Sequence, residues 1–69
     1  MQLSARNILP GTVIKVTKGA VNAEVDIRLK GGDTVVSIIT MGSLKTLGIK
    51  KDKKVYAVIK ASNVMVGVD

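Results

Sequence analysis

The sequence has 69 residues, with 11 Lys or Arg, five Asp or Glu, and neither Cys nor His. This length predicts one small domain, residues 1–69, that buries only about 60% of the surface its unfolded chain exposes. Without Cys, the chain has no disulfides and lacks the strongest side-chain nucleophile. Without His as well, it lacks the commonest general base and the usual zinc ligands. The composition therefore argues against an enzyme. Because 46% of the residues are hydrophobic, we expect a homo-oligomer to cover part of the apolar surface.

The net charge of +6 indicates an anionic partner. Nucleic acid, an acidic protein and a small oxyanion all fit this charge. The single aromatic residue, Tyr56, argues against nucleic acid, because single-strand binders stack bases on aromatic side chains. No apolar run reaches the roughly 20 residues of a membrane span. The first residues lack the features of a signal peptide, so we expect a cytoplasmic protein without a membrane partner.

The first half of the chain predicts three strands. Pro10-Gly11 is typical of a turn, and the β-branched stretch from Thr12 to Lys18 favours a strand after it. From Val21 to Leu29, apolar and polar residues alternate without an error, which predicts a strand with one buried face. Gly31-Gly32-Asp33 predicts a hairpin that leads into a third strand from Thr34 to Thr40.

The second half predicts a short helix and two further strands. The helix covers Gly42 to Gly48, with Ser43 as its cap, and a charged loop follows from Lys50 to Lys54. Val55 to Lys60 predicts a fourth strand. Val64 to Val68 is apolar on both faces, which predicts a fifth strand buried on both sides, with a partner subunit as its simplest cover.

This order predicts an all-β fold, an OB-like five-stranded barrel with one short helix between strands three and four. Closing the sheet into a barrel also removes strand edges that would otherwise aggregate. A further short strand is possible from Gln2 to Arg6.

Two segments near opposite ends of the chain, Ser4 to Asn7 and Lys60 to Asn63, have matching chemistry. Each combines a hydroxyl, a small residue, a cation and an amide, and neither contains an acid. A tetrahedral dianion offers acceptors and no donors, so hydroxyls, cations and open backbone amides suit it. Taken alone, each segment is better explained as an ordinary turn. Their matching content favours a shared oxyanion site if the first and last strands are neighbours.

The turn Lys18-Gly19-Ala20-Val21 is a second candidate anion site. An ordinary hairpin turn is the simpler interpretation of its sequence. In a symmetric oligomer, however, copies of this turn could meet on an axis and bind an anion together.

Four features in this order and spacing resemble the molbindins, small bacterial molybdate-binding proteins made of a single Mop domain. They are Ser4-Ala5-Arg6-Asn7, Gly11 with the alternating strand after it, the stretch from Lys18 to Val25, and the ending from Ala57 to Val66. The resemblance covers essentially the whole chain. It implies an OB-like Mop domain over residues 1–69 that assembles as a hexamer, a trimer of dimers, in the cytoplasm. It also implies reversible binding of molybdate or tungstate at subunit interfaces, for storage or homeostasis, with the oxyanion as ligand and no cofactor and no bare metal cation.

Family motifs carried over to this sequence give one site with six residues: Ser4, Ala5, Arg6, Lys60, Ala61 and Ser62. Arg6 and Lys60 would neutralise charge, and the two serines would donate hydroxyl hydrogen bonds. A second kind of site near the threefold axis would take Lys18, Gly19, Ala20 and Val21. Two other functions stay open: a nucleic-acid-binding OB module, and a structural domain that only oligomerises.

Overall fold

The computed structural model of the protein describes all 69 residues. Its strands are β1 (Asn7–Lys18), β2 (Asn22–Leu29), β3 (Thr34–Thr40) and β4 (Lys54–Ile59). A helix, α1 (Met41–Thr46), follows β3, and a single turn of 3-10 helix covers Ala61–Asn63. No helix has the length and apolar character needed to cross a bilayer.

The four strands form one antiparallel sheet in the order β3-β2-β1-β4. The long strand β1 pairs with β4 through its first half and with β2 through its second half. A register shift between Val13 and Lys15 marks a bulge, which bends a strand and increases its twist. The sheet is a half-barrel, so the predicted all-β, OB-like architecture with one helix between the third and fourth strands is confirmed.

The core is small and lies inside the curl of the sheet. Its buried members are Val13, Ala23, Val25, Ile27, Leu44 and Ala57. Half of them come from β2, where the predicted alternation is confirmed, since its apolar side chains point inward and most of its polar ones outward. Leu44 is the contribution of α1, which packs over the concave face. Many other apolar side chains are left exposed.

The prediction of a turn at Pro10-Gly11 is wrong, because both residues lie inside β1. Pro10 pairs with Tyr56 of β4, beyond the last residue of β2 in the ladder, so β1 has only one neighbour at that point. Proline is tolerated in a strand where one edge is unpaired. Gly11 is needed because β2 approaches closely, and a Cβ at this position would stand 2.6 Å from Cγ2 of Ile27.

The helix is confirmed in place but starts earlier than its sequence indicated. Thr40, not Ser43, is the N-cap, because the Thr40 hydroxyl oxygen accepts a hydrogen bond from the Ser43 backbone N–H at 3.0 Å. Leu44 is buried, whereas Leu47 is 58% exposed, so the two do not share the buried face. The basic loop then helps to end the helix, since the Lys53 ammonium donates to the Leu47 carbonyl at 2.7 Å.

The structure contains four strands rather than five. Val64 to Val68 has no regular secondary structure and pairs with no strand, and neither does the segment Gln2 to Arg6. Met65 is 93% exposed and Val66 is 90% exposed. The pattern predicted a buried strand, yet no strand edge within this chain pairs with the segment. β3 and β4 therefore remain as the two edges of the sheet.

Candidate oxyanion site

The strands β1 and β4 bring the two matching segments together at one end of the sheet. Asn7, the first residue of β1, pairs with Ile59, the last residue of β4. Because the strands are antiparallel, Ser4 to Arg6 precedes this pair on one side and Lys60 to Ser62 follows it on the other. Residues more than 50 positions apart in the sequence thus become neighbours, as the shared site requires.

The segment after β4 forms a tight turn with free backbone donors. Lys60 is extended and precedes a 3-10 turn whose first internal hydrogen bond runs from the Asn63 N–H to the Lys60 carbonyl at 2.9 Å. The amides of Ala61 and Ser62 come before that bond and have no backbone acceptor. Amides at the start of such a turn are available to bind an acceptor from outside the chain.

The polar side chains of both segments are likewise uncommitted. Ser4, Arg6, Lys60 and Ser62 are exposed, and none takes part in a side-chain hydrogen bond within the chain. Ala5 is half-buried. This end of the molecule therefore has two cations, two hydroxyls and two free amides, with no acid in either segment.

Sequence reasoning placed Asn7 in the first segment but left it out of the site set. Its carboxamide Nδ2 donates to the Ile59 carbonyl oxygen at 3.1 Å. The sequence showed only an asparagine before a strand. The pairing of β1 with β4, which selects the acceptor, depends on the tertiary structure.

The second candidate segment lies at the opposite end of β1. Lys18 ends the strand, and the turn to β2 is closed by a hydrogen bond from the Gly19 N–H to the Asn22 carbonyl at 2.8 Å. The Val21 carbonyl accepts a hydrogen bond from the Met41 N–H at 2.9 Å, which attaches the turn to the start of α1. Lys18, Gly19, Ala20 and Val21 are all exposed. The length of β1, roughly 35 Å for a strand of this size, separates the two candidate sites within one chain.

An open groove of about 700 Å³ lies on the outer side of the sheet, across β1, β2 and β4. Its lining includes Arg28, Lys30, Lys54 and a single acid, Asp52. Tyr56, which is 59% exposed, stands beside them. The Lys54 ammonium donates to the Thr12 hydroxyl at 3.1 Å. Sequence reasoning did not identify this basic groove, because its residues come from three strands, the turn after β2 and the loop before β4.

The carboxylates do not form a metal-binding cluster. No group of three or more His, Cys, Asp or Glu residues is close enough together to hold a metal ion. Glu24 and Asp26 are on the outer face of β2, as alternation predicts, and Asp26 faces Lys15 across the ladder. One Asp26 carboxylate oxygen is buried without a hydrogen-bond partner.

The sequence matches the TOBE domain over residues 3–66, almost the whole chain. The chain belongs to the TOBE domain family. This TOBE domain is 48% identical over 66 residues to molybdenum-pterin-binding protein 3 of Clostridium pasteurianum, covering 96% of this chain and 97% of the relative. It is 44% identical over 69 residues, the full length of both chains, to a probable molybdenum-pterin-binding protein of Haemophilus influenzae. These relatives confirm the resemblance to small Mop proteins.

Solved structures agree with the fold of this TOBE domain. MopII of Clostridium pasteurianum superposes with a TM-score of 0.92 at 40% identity, covering 97% of this chain and 100% of MopII. The cytoplasmic molybdate-binding protein ModG, in a form with molybdate bound, gives a TM-score of 0.96 at 51% identity. That match covers all of this chain and 49% of ModG. A molybdate-binding protein of Sporomusa ovata gives 0.92 at 35% identity, covering 99% of this chain and all of that one.

Proposed function

We propose that this TOBE domain binds molybdate reversibly as a ligand and does not catalyse a reaction. The observation that carries the proposal is the pairing of Asn7 with Ile59, which brings two acid-free, donor-rich segments to one end of the sheet. Relatives named as molybdenum-pterin-binding proteins and solved molybdate-binding structures support this choice of oxyanion. A tetrahedral dianion accepts several hydrogen bonds and donates none, which suits this set of donors.

The residues of the proposed site are Ser4, Ala5, Arg6, Lys60, Ala61 and Ser62. The two cations neutralise the charge of the anion, and their N–H groups make charge-assisted hydrogen bonds, which are the strong kind. The two serines donate hydroxyl hydrogen bonds. The two alanines have only a methyl group, so the anion can approach the backbone amides closely. The free amides after Lys60 support this part of the assignment.

We propose that the sites are completed at subunit interfaces of a homo-oligomer. The core is very small, and Met65, Val66 and Val68 are almost fully exposed. The terminal segment Val64 to Val68 has the composition of a buried strand, and the sheet has two unpaired edges. A partner's edge strand would satisfy both the apolar surface and the backbone hydrogen bonds of this segment. Val64 to Val68 would then form the fifth strand of a barrel.

The proposed assembly is a hexamer arranged as a trimer of dimers. Within it, the exposed turn Lys18-Gly19-Ala20-Val21 would meet its copies on the threefold axis and form a second oxyanion site. Support for this site comes from the exposure of the turn and its distance from the first site, since the two ends of β1 can serve different interfaces.

We further propose that the protein works in the cytoplasm as a single Mop domain, residues 1–69, that stores molybdate or keeps its concentration steady. Tungstate, a tetrahedral dianion with the same hydrogen-bonding chemistry, would bind at the same residues. Sulfate has this chemistry too, so discrimination against it depends on the size of the cavity. No cofactor and no bare metal cation take part.

Calorimetric titration of the anion-free protein with molybdate, tungstate and sulfate tests the function. We expect saturable binding of the first two and much weaker binding of sulfate. Absence of heat with every anion would contradict the proposal. Light scattering on the same sample measures the mass of the assembly, and a monomer that still binds molybdate would contradict the interface assignment.

The basic groove beside Tyr56 favours one alternative, a nucleic-acid-binding OB module. That function predicts binding that weakens steeply with added salt and strengthens with strand length. The single aromatic residue gives only one stacking surface, whereas strand binders use several. A mobility-shift assay at low salt with oligonucleotides of increasing length separates the two functions, and we expect no shift.

A further inference from the structure

β1 and β4 are joined at the site end by a side chain as well as by the backbone ladder. The carboxamide Nδ2 of Asn7 donates to the Ile59 carbonyl oxygen at 3.1 Å, in a partly buried bond that spans 52 positions. The same two residues form the last register pair of the ladder. Asn7 therefore reinforces the pair at which the two strands would otherwise begin to separate.

The acceptor of this bond belongs to the peptide group that leads into the site. The Ile59 carbonyl and the Lys60 N–H share one rigid plane. The 3-10 turn with the two free amides begins directly after Lys60. Fixing the carbonyl therefore also fixes the peptide plane from which Lys60 and the turn continue. On the other strand, Asn7 directly follows Arg6, so one side chain connects the two cation-bearing segments.

Such a connection is useful because each of the two segments at this end of the strand pair carries a cation. Arg6 and Lys60 carry like charges and repel each other when no anion lies between them. The last pair of a ladder also opens more readily than its centre. If the two segments separated in the anion-free protein, each binding event would have to order them again, and this ordering lowers affinity.

We infer that Asn7 is a positioning residue of the oxyanion site, which holds the two segments in the binding arrangement through its bond to Ile59. Its Nδ2 is directed to the backbone carbonyl, so Asn7 acts on the anion through the Lys60 segment. The inference rests on the proposed function of the six site residues and adds Asn7 to them in a different role.

The test compares two isosteric variants that each remove one side-chain hydrogen bond between β1 and β4. Asn7→Leu removes the donor at the site end of the ladder. Thr12→Val removes the acceptor of Lys54 at the other end and serves as the matched control. Molybdate affinity is measured by calorimetry well below the melting temperature of each protein. Light scattering establishes that all samples have the same mass.

We expect N7L to bind molybdate about fivefold more weakly, the factor to which the net contribution of one ordinary hydrogen bond corresponds. T12V should bind as the unmodified protein does. A purely structural role would lower the melting temperature of N7L and leave its affinity unchanged, because nearly all molecules stay folded at the measuring temperature. Equal affinity of N7L and the unmodified protein would therefore overturn the inference.

Amide hydrogen exchange in the anion-free protein gives a second readout that needs no ligand. The Asn63 and Val64 amides, which donate to the Lys60 and Ala61 carbonyls within the turn, should exchange faster in N7L than in T12V, and equal rates would overturn the inference. If N7L fails to fold, Asn7→Ser replaces it, because the shorter side chain cannot span the distance to the Ile59 carbonyl. If the unmodified protein does not bind molybdate, the proposed function fails and the inference with it. If the unmodified protein binds molybdate and N7L binds it with the same affinity, the proposed function stands and only the role of Asn7 is contradicted.

Discussion

Gly11 of β1 lies so close to Arg28 of β2 that a Cβ at position 11 would stand 2.7 Å from the Arg28 carbonyl oxygen. At this crossing, β1 has β2 on one side and β4 on the other, since Gly11 pairs with Leu29 and also with Val55. The half-barrel thus depends on a position without a side chain at the point where its longest strand exchanges neighbours.

Gly11→Ala should therefore destabilise the fold. The added methyl group meets backbone, which cannot rotate away, so β1 and β2 must move apart. We expect a loss of about 1–3 kcal/mol, the usual range for overpacking, measured by urea unfolding. Gly31→Ala is the control, because a Cβ at position 31 has nothing within 4 Å. Equal stability of the two variants would show that the crossing tolerates the methyl group.

Arg6→Ala and Lys60→Ala should each weaken molybdate binding and leave the fold intact. Both side chains are exposed and make no hydrogen bond within the chain, so their loss removes nothing from folding. A hydrogen bond to a charged group corresponds to about a tenfold to hundredfold change in affinity, and calorimetry measures it. Lys50→Ala removes an exposed cation outside the site and should have little effect. Normal binding by R6A would show that the assignment of the end segments is wrong.

Val25→Asp should prevent folding. Val25 lies in the middle of β2 and is among the six buried residues of the core, where a carboxylate would have no partner and no water. Circular dichroism should show loss of the β signal at room temperature. Asn22→Asp introduces the same charge at an exposed position of the same strand and should fold. A folded V25D would mean that the core tolerates a carboxylate.

Val66→Asp should dissociate the assembly without unfolding the chain. Val66 is 90% exposed in the single chain, so a carboxylate there costs nothing in the isolated domain but is incompatible with an apolar interface. We expect a lower mass by light scattering, an unchanged β signal and weaker molybdate binding. Leu47→Asp places the same charge on an exposed apolar residue of the helix end and should leave the mass unchanged. Unchanged mass for V66D would contradict the proposed pairing of the terminal segment with a partner's edge strand.

Alternation made β2 predictable, because a strand with one buried face repeats every two residues and its core members can be read directly from the sequence. The hairpin at Gly31-Gly32 was predictable for a similar reason, since the chain there needs a positive φ, which Gly32 supplies at +99°. Pro10-Gly11 carries the same kind of signal and was misread. Proline also suits a strand position with one unpaired edge, and glycine suits a position that a neighbouring strand approaches closely. Both conditions depend on where the other strands lie.

The composition of the site was also present in the sequence, as two segments that each offer a cation, a hydroxyl and a small residue and contain no acid. The proximity of the two segments could not be read from the sequence, because it depends on the register between β1 and β4. That register pairs Leu9 with the buried residue Ala57, so it involves residues far apart in the chain.

The sequence by itself therefore determined the strands with a clean period, the absence of cysteine and histidine chemistry, and the donors available for an anion. These properties are local, since each depends on a residue and its near neighbours. Only the tertiary structure decided that Asn7 meets Ile59, that Gly11 lies under Arg28, and that Val64 to Val68 finds no strand in its own chain. These outcomes depend on long-range pairing, in which the whole sheet selects one register by burying its small core.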